Sequence, residues 1–191
     1  MNKGNKILLL GGSAGGFGVI LNLLKSIPKN FQIPILVIVH RNPKFESNFE
    51  QVLKKNYALQ IKSAEDKEQI QGGKVYFAPP GYHLLIEPDF KLALDNSEPV
   101  QFSRPSIDVT FESASEVYKE NCIAILFSGA NQDGAKGLLA IKNSGGICIV
   151  QHPDAAEVAT MPQAAIDLHA QHHIYTTEEI AKYIDQLNGL V

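Results

Sequence analysis

The N-terminal part of the chain alternates between short apolar runs and amphipathic stretches. Lys6 to Leu10 ends in a glycine-rich turn, after which apolar residues from Val19 to Leu24 recur at helical spacing. This pattern predicts a strand, a tight turn and a helix. Pro34 to Val39 is continuously apolar and β-branched, as is typical of a strand covered on both faces. Phe45 to Leu53 then predicts a second helix.

The middle of the chain has a different pattern, in which glycine and proline separate short apolar runs. These runs are Leu59 to Ile61, Val75 to Ala78, Leu84 to Glu87 and Lys91 to Leu94. They predict short strands, with a hairpin around Pro88. After a polar stretch, Pro105 opens a predicted helix that keeps the apolar residues from Ile107 to Tyr118 on one face.

The alternation of strands and helices resumes in the C-terminal part. Ile123 to Phe127 and Ile147 to Val150 predict buried strands, and Ala135 to Asn143 predicts the helix between them. Pro162 predicts the start of a short helix, and Thr176-x-x-Glu179 is a capping box ahead of a terminal helix. The whole pattern predicts an α/β fold, with a doubly wound, mostly parallel sheet and an antiparallel hairpin addition.

Composition narrows the class of protein. The chain has 191 residues, 45% of them hydrophobic and 19% charged, which suits one compact domain over residues 1–191. The formal net charge is −3 and Lys and Arg form no run, so we expect no nucleic-acid partner. The apolar run at the N-terminus is too short for a signal peptide or a membrane span, so we expect a soluble, cytoplasmic protein. We therefore expect Cys122 and Cys148 to be reduced residues of the core.

Polar side chains follow three of the predicted strands. Ser13 follows the first strand, His40 the second, and Asp133 lies in a loop after the strand that ends at Phe127. The carboxyl ends of parallel strands share one edge of a sheet, so these residues are expected to converge there. A hydroxyl, an imidazole and a carboxylate are the nucleophile, base and orienting group of a hydrolase.

Each of these residues also has a structural interpretation. Ser13 could cap the helix that it precedes, although small neighbours in Gly11-x-Ser13-x-Gly15 favour an exposed nucleophile. His40 could be a structural histidine, and Asp133 before Gly134 could form an ordinary turn. Dinucleotide binding is disfavoured, because its motif requires glycine at Ser13 and an acidic residue where His40 ends the second strand. The chain also lacks a Walker A motif.

The remaining histidines offer weaker candidates. His152, after the last predicted strand, is an alternative base, a substrate contact or a plain loop residue. His169, His172 and His173 are close enough in sequence to suggest a metal, but no cysteine or carboxylate clusters with them. We therefore predict no metal site and no cofactor.

Several motifs occur in the order found in a known family. They are Gly11-Gly12-Ser13-Ala14-Gly15-Gly16, Val37-Ile38-Val39-His40, Val75 to Leu84, Arg104-Pro105-Ser106-Ile107-Asp108, Ser128 to Gly137, and Met161-Pro162. From Ile7 to about Ile184, the chain resembles the catalytic domain of the chemotaxis protein-glutamate methylesterases, the CheB family.

The resemblance implies a serine hydrolase with Ser13, His40 and Asp133 as its triad. It implies hydrolysis of glutamate methyl esters, and deamidation of glutamines, on chemoreceptors in chemotaxis or in a related signalling system. The expected partner is therefore a methylated chemoreceptor or another methylated protein. Backbone N–H groups at Ala14 and Ala130 are expected to stabilise the oxyanion.

The chain departs from the family pattern around the expected pocket. Ala14 replaces the usual Thr, Ala130-Asn131 the usual Met-Gly, Arg41 the usual Met, and His152 an acidic residue. These changes favour an altered substrate preference or rate. The alternative is a binding module that kept the pocket and lost turnover. Arg41, His152 and Arg104 are candidate substrate contacts.

The family usually carries a receiver domain ahead of the catalytic domain. Here the first predicted strand begins at Ile7. The expectation from the sequence is a stand-alone enzyme without a receiver domain, either unregulated or controlled by a separate partner.

Overall fold

A seven-stranded parallel sheet forms the centre of the computed structural model, which describes residues 6–40 and 57–188. The strands are β1 (Ile7–Gly12), β2 (Ile35–Val39), β3 (Gln60–Ser63), β4 (Lys74–Phe77), β5 (His83–Ile86), β6 (Leu92–Asp95), β7 (Cys122–Leu126), β8 (Ile147–Gln151) and β9 (His173–Tyr175). The α-helices are α1 (Gly16–Ser26), α2 (Ile107–Tyr118), α3 (Ala135–Asn143), α4 (Thr160–Asp167) and α5 (Thr177–Asn188). Lys119–Asn121 and Pro153–Ala155 are short 3₁₀ turns.

The order of the strands places a crevice beside β1. The order is β3-β4-β2-β1-β7-β8-β9, so the chain winds to one side after β1 and to the other side after β7. Ligands of open α/β sheets bind outside the carboxyl ends of the strands at such a switch point. The fold therefore predicts a functional site where β1, β2 and β7 end.

Apolar residues alternate between the two faces of the sheet and build two cores. On β1, Ile7 and Leu9 face a core shared with α2, α3 and α4, whereas Leu8 and Leu10 face a core shared with α1 and α5. Because both faces are covered, the central strands read as continuous apolar runs.

The structure confirms the doubly wound, mostly parallel sheet and the hairpin, and it refines the middle of the chain. Strands β3 and β4 pair in parallel with each other, and β4 pairs in parallel with β2, so they extend the main sheet. Strands β5 and β6 pair antiparallel with each other and form a separate two-stranded sheet. The helix predicted over Phe45 to Leu53 lies outside the described residues.

The C-terminal predictions hold with two differences. The helix predicted from Pro162 begins two residues earlier, at Thr160, and the sequence pattern gave no sign of the short edge strand β9. The capping box is present, because the Thr176 N–H donates to Glu179 Oε2 at 2.8 Å and the Glu179 N–H donates to Thr176 Oγ1 at 3.3 Å.

Helices α2 and α3 approach each other closely at Gly137. A Cβ atom at this position would lie 2.6 Å from Phe111 Cβ and 2.9 Å from the carbonyl oxygen of Asp108. Any side chain would therefore force the two helices apart. This close approach matters because the N-termini of both helices lie at the switch-point edge.

We expect Gly137→Ala to lower the free energy of unfolding by about 2 kcal/mol, because the added methyl group overpacks the contact between α2 and α3. Gly18→Ala is the matched control, since a Cβ there meets no atom within 4 Å. It should raise stability by about 0.5–1 kcal/mol, the usual gain of alanine over glycine in a helix. Urea unfolding measures both changes, and equal effects of the two variants would contradict the packing argument.

Candidate active site

The turn between β1 and α1 holds Ser13 in a half-buried position. Gly15 is the N-cap residue of α1 at φ 75°, and no side chain caps the helix, so Ser13 does not serve as its cap. A Cβ atom on Gly15 would lie 2.5 Å from Glu157 Cβ and 2.9 Å from Ser128 Oγ. The turn therefore requires glycine both for its backbone conformation and for space.

Strand register brings Ser13 next to His40. Gly12 of β1 pairs with Val39 of β2, so Ser13 and His40 are the next residues on adjacent strands. Such strands lie about 4.8 Å apart, which is within reach of a side-chain rotation. The Ser13 hydroxyl has no hydrogen-bond partner among the described residues.

His40 pairs with Asp133 across the edge of the sheet. The distance from His40 Nε2 to Asp133 Oδ2 is 2.7 Å; the imidazole is 15% exposed and the carboxylate is fully buried. A carboxylate accepts hydrogen bonds, so Nε2 carries a proton, and in the neutral imidazole Nδ1 then keeps its lone pair. The nitrogen available as a base is therefore Nδ1, which lies 3.4 Å from Ser103 Oγ.

The Asp133 carboxylate sits on the N-terminus of α2. Oδ1 accepts from Ser106 Oγ at 2.8 Å and from the Asp108 N–H at 3.0 Å, and Oδ2 accepts from the Ile107 N–H at 2.7 Å. Burial raises the pKa of Asp133, but the hydrogen bonds from His40, Asp108 and Ile107 outweigh it and hold the pKa below its ordinary value. Asp133 is therefore ionised at neutral pH.

Asp108 makes the reciprocal contact to the N-terminus of α3. Its Oδ1 accepts from the N–H groups of Gly134 and Gly137, each at 2.8 Å, while Oδ2 accepts from Gln101 Nε2 at 2.7 Å. Burial and the nearby charge of Asp133 raise the pKa of Asp108 to about 6, although the hydrogen bond from the Gly137 N–H acts to lower it. Two helices thus hold each other's first turn through two buried aspartates.

Sequence reasoning alone did not assign roles to Ser106, Asp108 or Ser128. Ser128 joins the two loops of the site, because its hydroxyl donates to the Ala14 carbonyl at 2.7 Å and accepts from the Val158 N–H at 2.9 Å. For Ser106 and Asp108, the available signal was their place in the family motif from Arg104 to Asp108, which by itself indicates no physical role.

The proposed oxyanion donors are exposed. Ala14 lies in the turn between β1 and α1, and Ala130 lies in the loop after β7. Neither the Ala14 N–H nor the Ala130 N–H is engaged by another described residue. The loops are fastened together by the hydrogen bond from the Ser13 N–H to the Ser128 carbonyl at 2.9 Å. Two free donors on connected loops can receive a developing negative charge.

The three candidate substrate contacts have different surroundings. Arg104 Nη1 donates to the carbonyls of Asn96 and Ser97, at 2.8 and 2.7 Å, and so braces the loop after β6. His152 is 44% exposed, and its Nδ1 accepts from the Asp154 N–H at 3.2 Å. Arg41 lies outside the described residues. A contact with substrate stays a prediction for all three.

Other candidate chemistry is limited in the part of the chain that the structure describes. Residues 6–40 and 57–188 contain no group of three or more His, Cys, Asp or Glu side chains that could hold a metal ion. Cys122 and Cys148 are free and buried. No helix within these ranges has both the length and the apolar character needed to cross a bilayer.

A serine hydroxyl on the strand next to a histidine that pairs with a buried aspartate, at the switch point of a doubly wound sheet, is the kind of site found in serine hydrolases. Comparison with known proteins gives the family. Residues 8–184 match the family model described as CheB methylesterase. The chain belongs to the CheB methylesterase family, which is a family of carboxylic ester hydrolases.

Relatives match over nearly the whole chain. A protein of Leptospira interrogans, named as a candidate protein-glutamate methylesterase/protein-glutamine glutaminase, is 43% identical over 95% of this chain and 94% of its own length. The enzyme of that name from Symbiobacterium thermophilum is 32% identical over 96% of this chain, which spans only 51% of that protein. The crystal structure of the Thermotoga maritima CheB methylesterase catalytic domain matches with a TM-score of 0.89 and 31% identity, over 96% of this chain and 98% of that one.

The buried Asp108 carboxyl predicts a pH-dependent stability. Its pKa is about 6 in the folded protein, against an ordinary value of 3.8, so the folded state keeps this proton where the unfolded chain releases it. The free energy of unfolding that protonated Asp108 contributes is fully present below the ordinary pKa and is lost as the pH rises through 6. Relative to Asp108→Asn, the wild type should lose up to about 3 kcal/mol of unfolding free energy between pH 4 and 6.

Urea unfolding at several pH values measures this difference, and Glu116→Gln on the exposed side of α2 is the matched control. The Asn side chain retains an oxygen for the N–H groups of Gly134 and Gly137. A constant difference between wild type and Asp108→Asn from pH 4 to 6 would contradict the prediction.

Proposed function

We propose that this protein hydrolyses the methyl esters of glutamate side chains in a protein substrate, with deamidation of glutamine as the related reaction. The observation that carries the proposal is the pairing of His40 Nε2 with the buried Asp133 carboxylate, which leaves Nδ1 as a base one strand away from Ser13. Membership of the methylesterase family and the names of the relatives support the same reaction.

In the proposed first half of the reaction, Ser13 Oγ attacks the side-chain carbonyl carbon of the ester while His40 Nδ1 takes the hydroxyl proton. The carbonyl oxygen gains negative charge and accepts hydrogen bonds from the N–H groups of Ala14 and Ala130. When the tetrahedral intermediate collapses, the bond to the methoxy oxygen breaks. His40 returns its proton to that oxygen, so that methanol leaves and an acyl-serine remains.

In the second half, water replaces methanol. His40 Nδ1 takes a proton from the water as its oxygen attacks the acyl carbon, and then returns a proton to Ser13 Oγ as the acyl bond breaks. The product is a free glutamate side chain. Glutamine follows the same path with ammonia as the leaving group. Asp133 stabilises the imidazolium in both halves, since it is ionised and bonded to the opposite ring nitrogen.

The proposal extends to the setting of the reaction. The substrate is a methylated chemoreceptor or another methylated protein of a signalling system, met in the cytoplasm. Arg41, Arg104 and His152 are proposed substrate contacts. We further propose that residues 1–191 form a single catalytic domain.

We expect Ser13→Ala to abolish methanol release from a chemoreceptor cytoplasmic fragment that carries tritiated methyl esters. The fold should be retained, because the Ser13 hydroxyl bonds no described residue. Ser26→Ala at the opposite end of α1 is the matched control and should keep the wild-type rate. A fluorophosphonate probe gives a second readout. Labelling that requires both Ser13 and His40 supports the hydrolase, whereas no labelling of the wild type favours the binding module.

Asp133→Asn should lower kcat by about 10³- to 10⁴-fold, the size of effect known when the triad aspartate is neutralised in a serine protease. The amide cannot accept all four hydrogen bonds that the carboxylate receives, so the imidazole loses its orientation and its counter-charge. Steady-state methanol release measures the change. Asp154→Asn, at a carboxylate that is 93% exposed, is the control. A loss smaller than tenfold would remove Asp133 from the mechanism.

A further inference from the structure

A strained turn stands at the rim of the candidate active site. Val100 and Ser103 face each other through two backbone hydrogen bonds, of 3.2 and 2.9 Å, so only Gln101 and Phe102 form the turn. Their φ angles are 48° and 63°. Glycine and asparagine are preferred at such left-handed positions, and a side chain such as phenylalanine adopts them at a cost in free energy.

The turn is anchored on one side to Asp108, at the N-terminus of α3, and on the other side to His40. Gln101 Nε2 donates to the buried Asp108 carboxylate at 2.7 Å, and Ser103 Oγ lies 3.4 Å from His40 Nδ1. Phe102 stands between these anchors with its side chain fully exposed to solvent, at 104% relative exposure. The surroundings therefore hold an unfavourable backbone conformation that exposes an aromatic ring at the residue next to Ser103.

A groove of about 560 Å³ opens beside this ring. It runs between the turn, the loop that carries Asp133 and helix α4. It is lined by Phe102, Thr160, Ala164 and Asp167 and by four residues with side-chain amides, which are Gln101, Asn131, Gln132 and Gln163. Its volume falls in the range of pockets that bind small ligands or a few side chains.

The chemistry of the groove selects its occupant. Gln101 and Gln163 already donate to Asp108 and Asp167, at 2.7 and 2.8 Å, so the donors that the groove offers are mainly those of Asn131 and Gln132. Amide groups hydrogen-bond to the backbone and to uncharged polar side chains, and the aromatic ring packs on apolar ones. Among residues 6–40 and 57–188, no lysine or arginine lines the groove, so these residues offer no counter-charge to a strongly acidic segment. A neutral peptide segment with one apolar residue fits, and the groove is continuous with the loop that supplies the catalytic aspartate.

We propose that this groove docks the segment of the protein substrate that flanks the methyl ester, with Phe102 packing against an apolar side chain of that segment. The proposal rests on the proposed function, because it assigns the groove to the same substrate. It explains why a fully exposed aromatic residue occupies a backbone position that suits asparagine or glycine.

The test compares Phe102→Asn with Phe90→Asn. Phe90 is also exposed, at 42%, and has a φ of 61°, so both substitutions place Asn at a left-handed position. Phe90 packs edge-on against Tyr118, with ring centroids 5.3 Å apart, at the end of α2 remote from Asp133. The control therefore matches the variant in chemistry and backbone while lying far from the groove.

Two substrates separate docking from chemistry. One is the methyl-esterified chemoreceptor cytoplasmic fragment, and the other is N-acetylglutamate γ-methyl ester N-methylamide. In Phe102→Asn, the ratio of kcat/KM for the fragment to that for the small ester should fall about tenfold, in the range of the loss of an aromatic anchor. Phe90→Asn should keep the wild-type ratio. An unchanged ratio in Phe102→Asn would overturn the proposal.

A binding measurement keeps the proposal testable without turnover. Ser13→Ala protein and the Ser13→Ala/Phe102→Asn double variant are titrated with the fluorescently labelled fragment, and the double variant should bind about tenfold more weakly. The urea midpoint of Phe102→Asn should be no lower than that of wild type, which separates docking from a structural role. Equal affinities, or no binding of the fragment to Ser13→Ala, would overturn docking. A failure of wild-type protein to hydrolyse either ester would instead overturn the proposed function.

Discussion

The buried carboxylate of Asp133 joins parts of the chain that are far apart in sequence. A carboxylate without partners in this position would cost several kcal/mol, so it must receive hydrogen bonds. It receives four, one from His40 and three from the first turn of α2 at Ser106, Ile107 and Asp108. The same bonds that make burial tolerable keep the group ionised and fix the imidazole. Stability and the proposed catalysis therefore depend on the same four hydrogen bonds to Asp133.

Strand register supplies the rest of the site without further contacts. Gly12 pairs with Val39 and Gly11 pairs with Leu126, so the residues that follow β1, β2 and β7 are adjacent by construction. A shift of β2 by one residue would turn its apolar side chains to the opposite core, and burial on both faces prevents this. The packing of the two cores thus determines the separation of Ser13 and His40, although neither residue contributes to a core.

Much of this arrangement follows from local patterns in the sequence. Apolar runs located the central strands, and the rule that parallel strands end at one edge brought Ser13, His40 and Asp133 together. The parallel pairing of β3 and β4 did not follow, because short runs broken by glycine carry no information about strand direction. The capping of two helices by each other's aspartate was also hidden, since Asp108 and Asp133 pair only after the strands between them are ordered. Long-range hydrogen bonds of this kind have no local signature.

The strained turn at Phe102 is connected to this network by single hydrogen bonds on each side. Gln101 reaches Asp108, which fastens the first turn of α3 beside Asp133, and Ser103 faces the base nitrogen of His40. Relaxing the left-handed φ angles would move these anchors, so the turn keeps its strain as long as Asp108 and His40 keep their places. A segment that presses on the ring of Phe102 therefore acts on a loop already coupled to the imidazole. Under the proposed function, recognition of the substrate and alignment of the His40 imidazole would then depend on the same few residues.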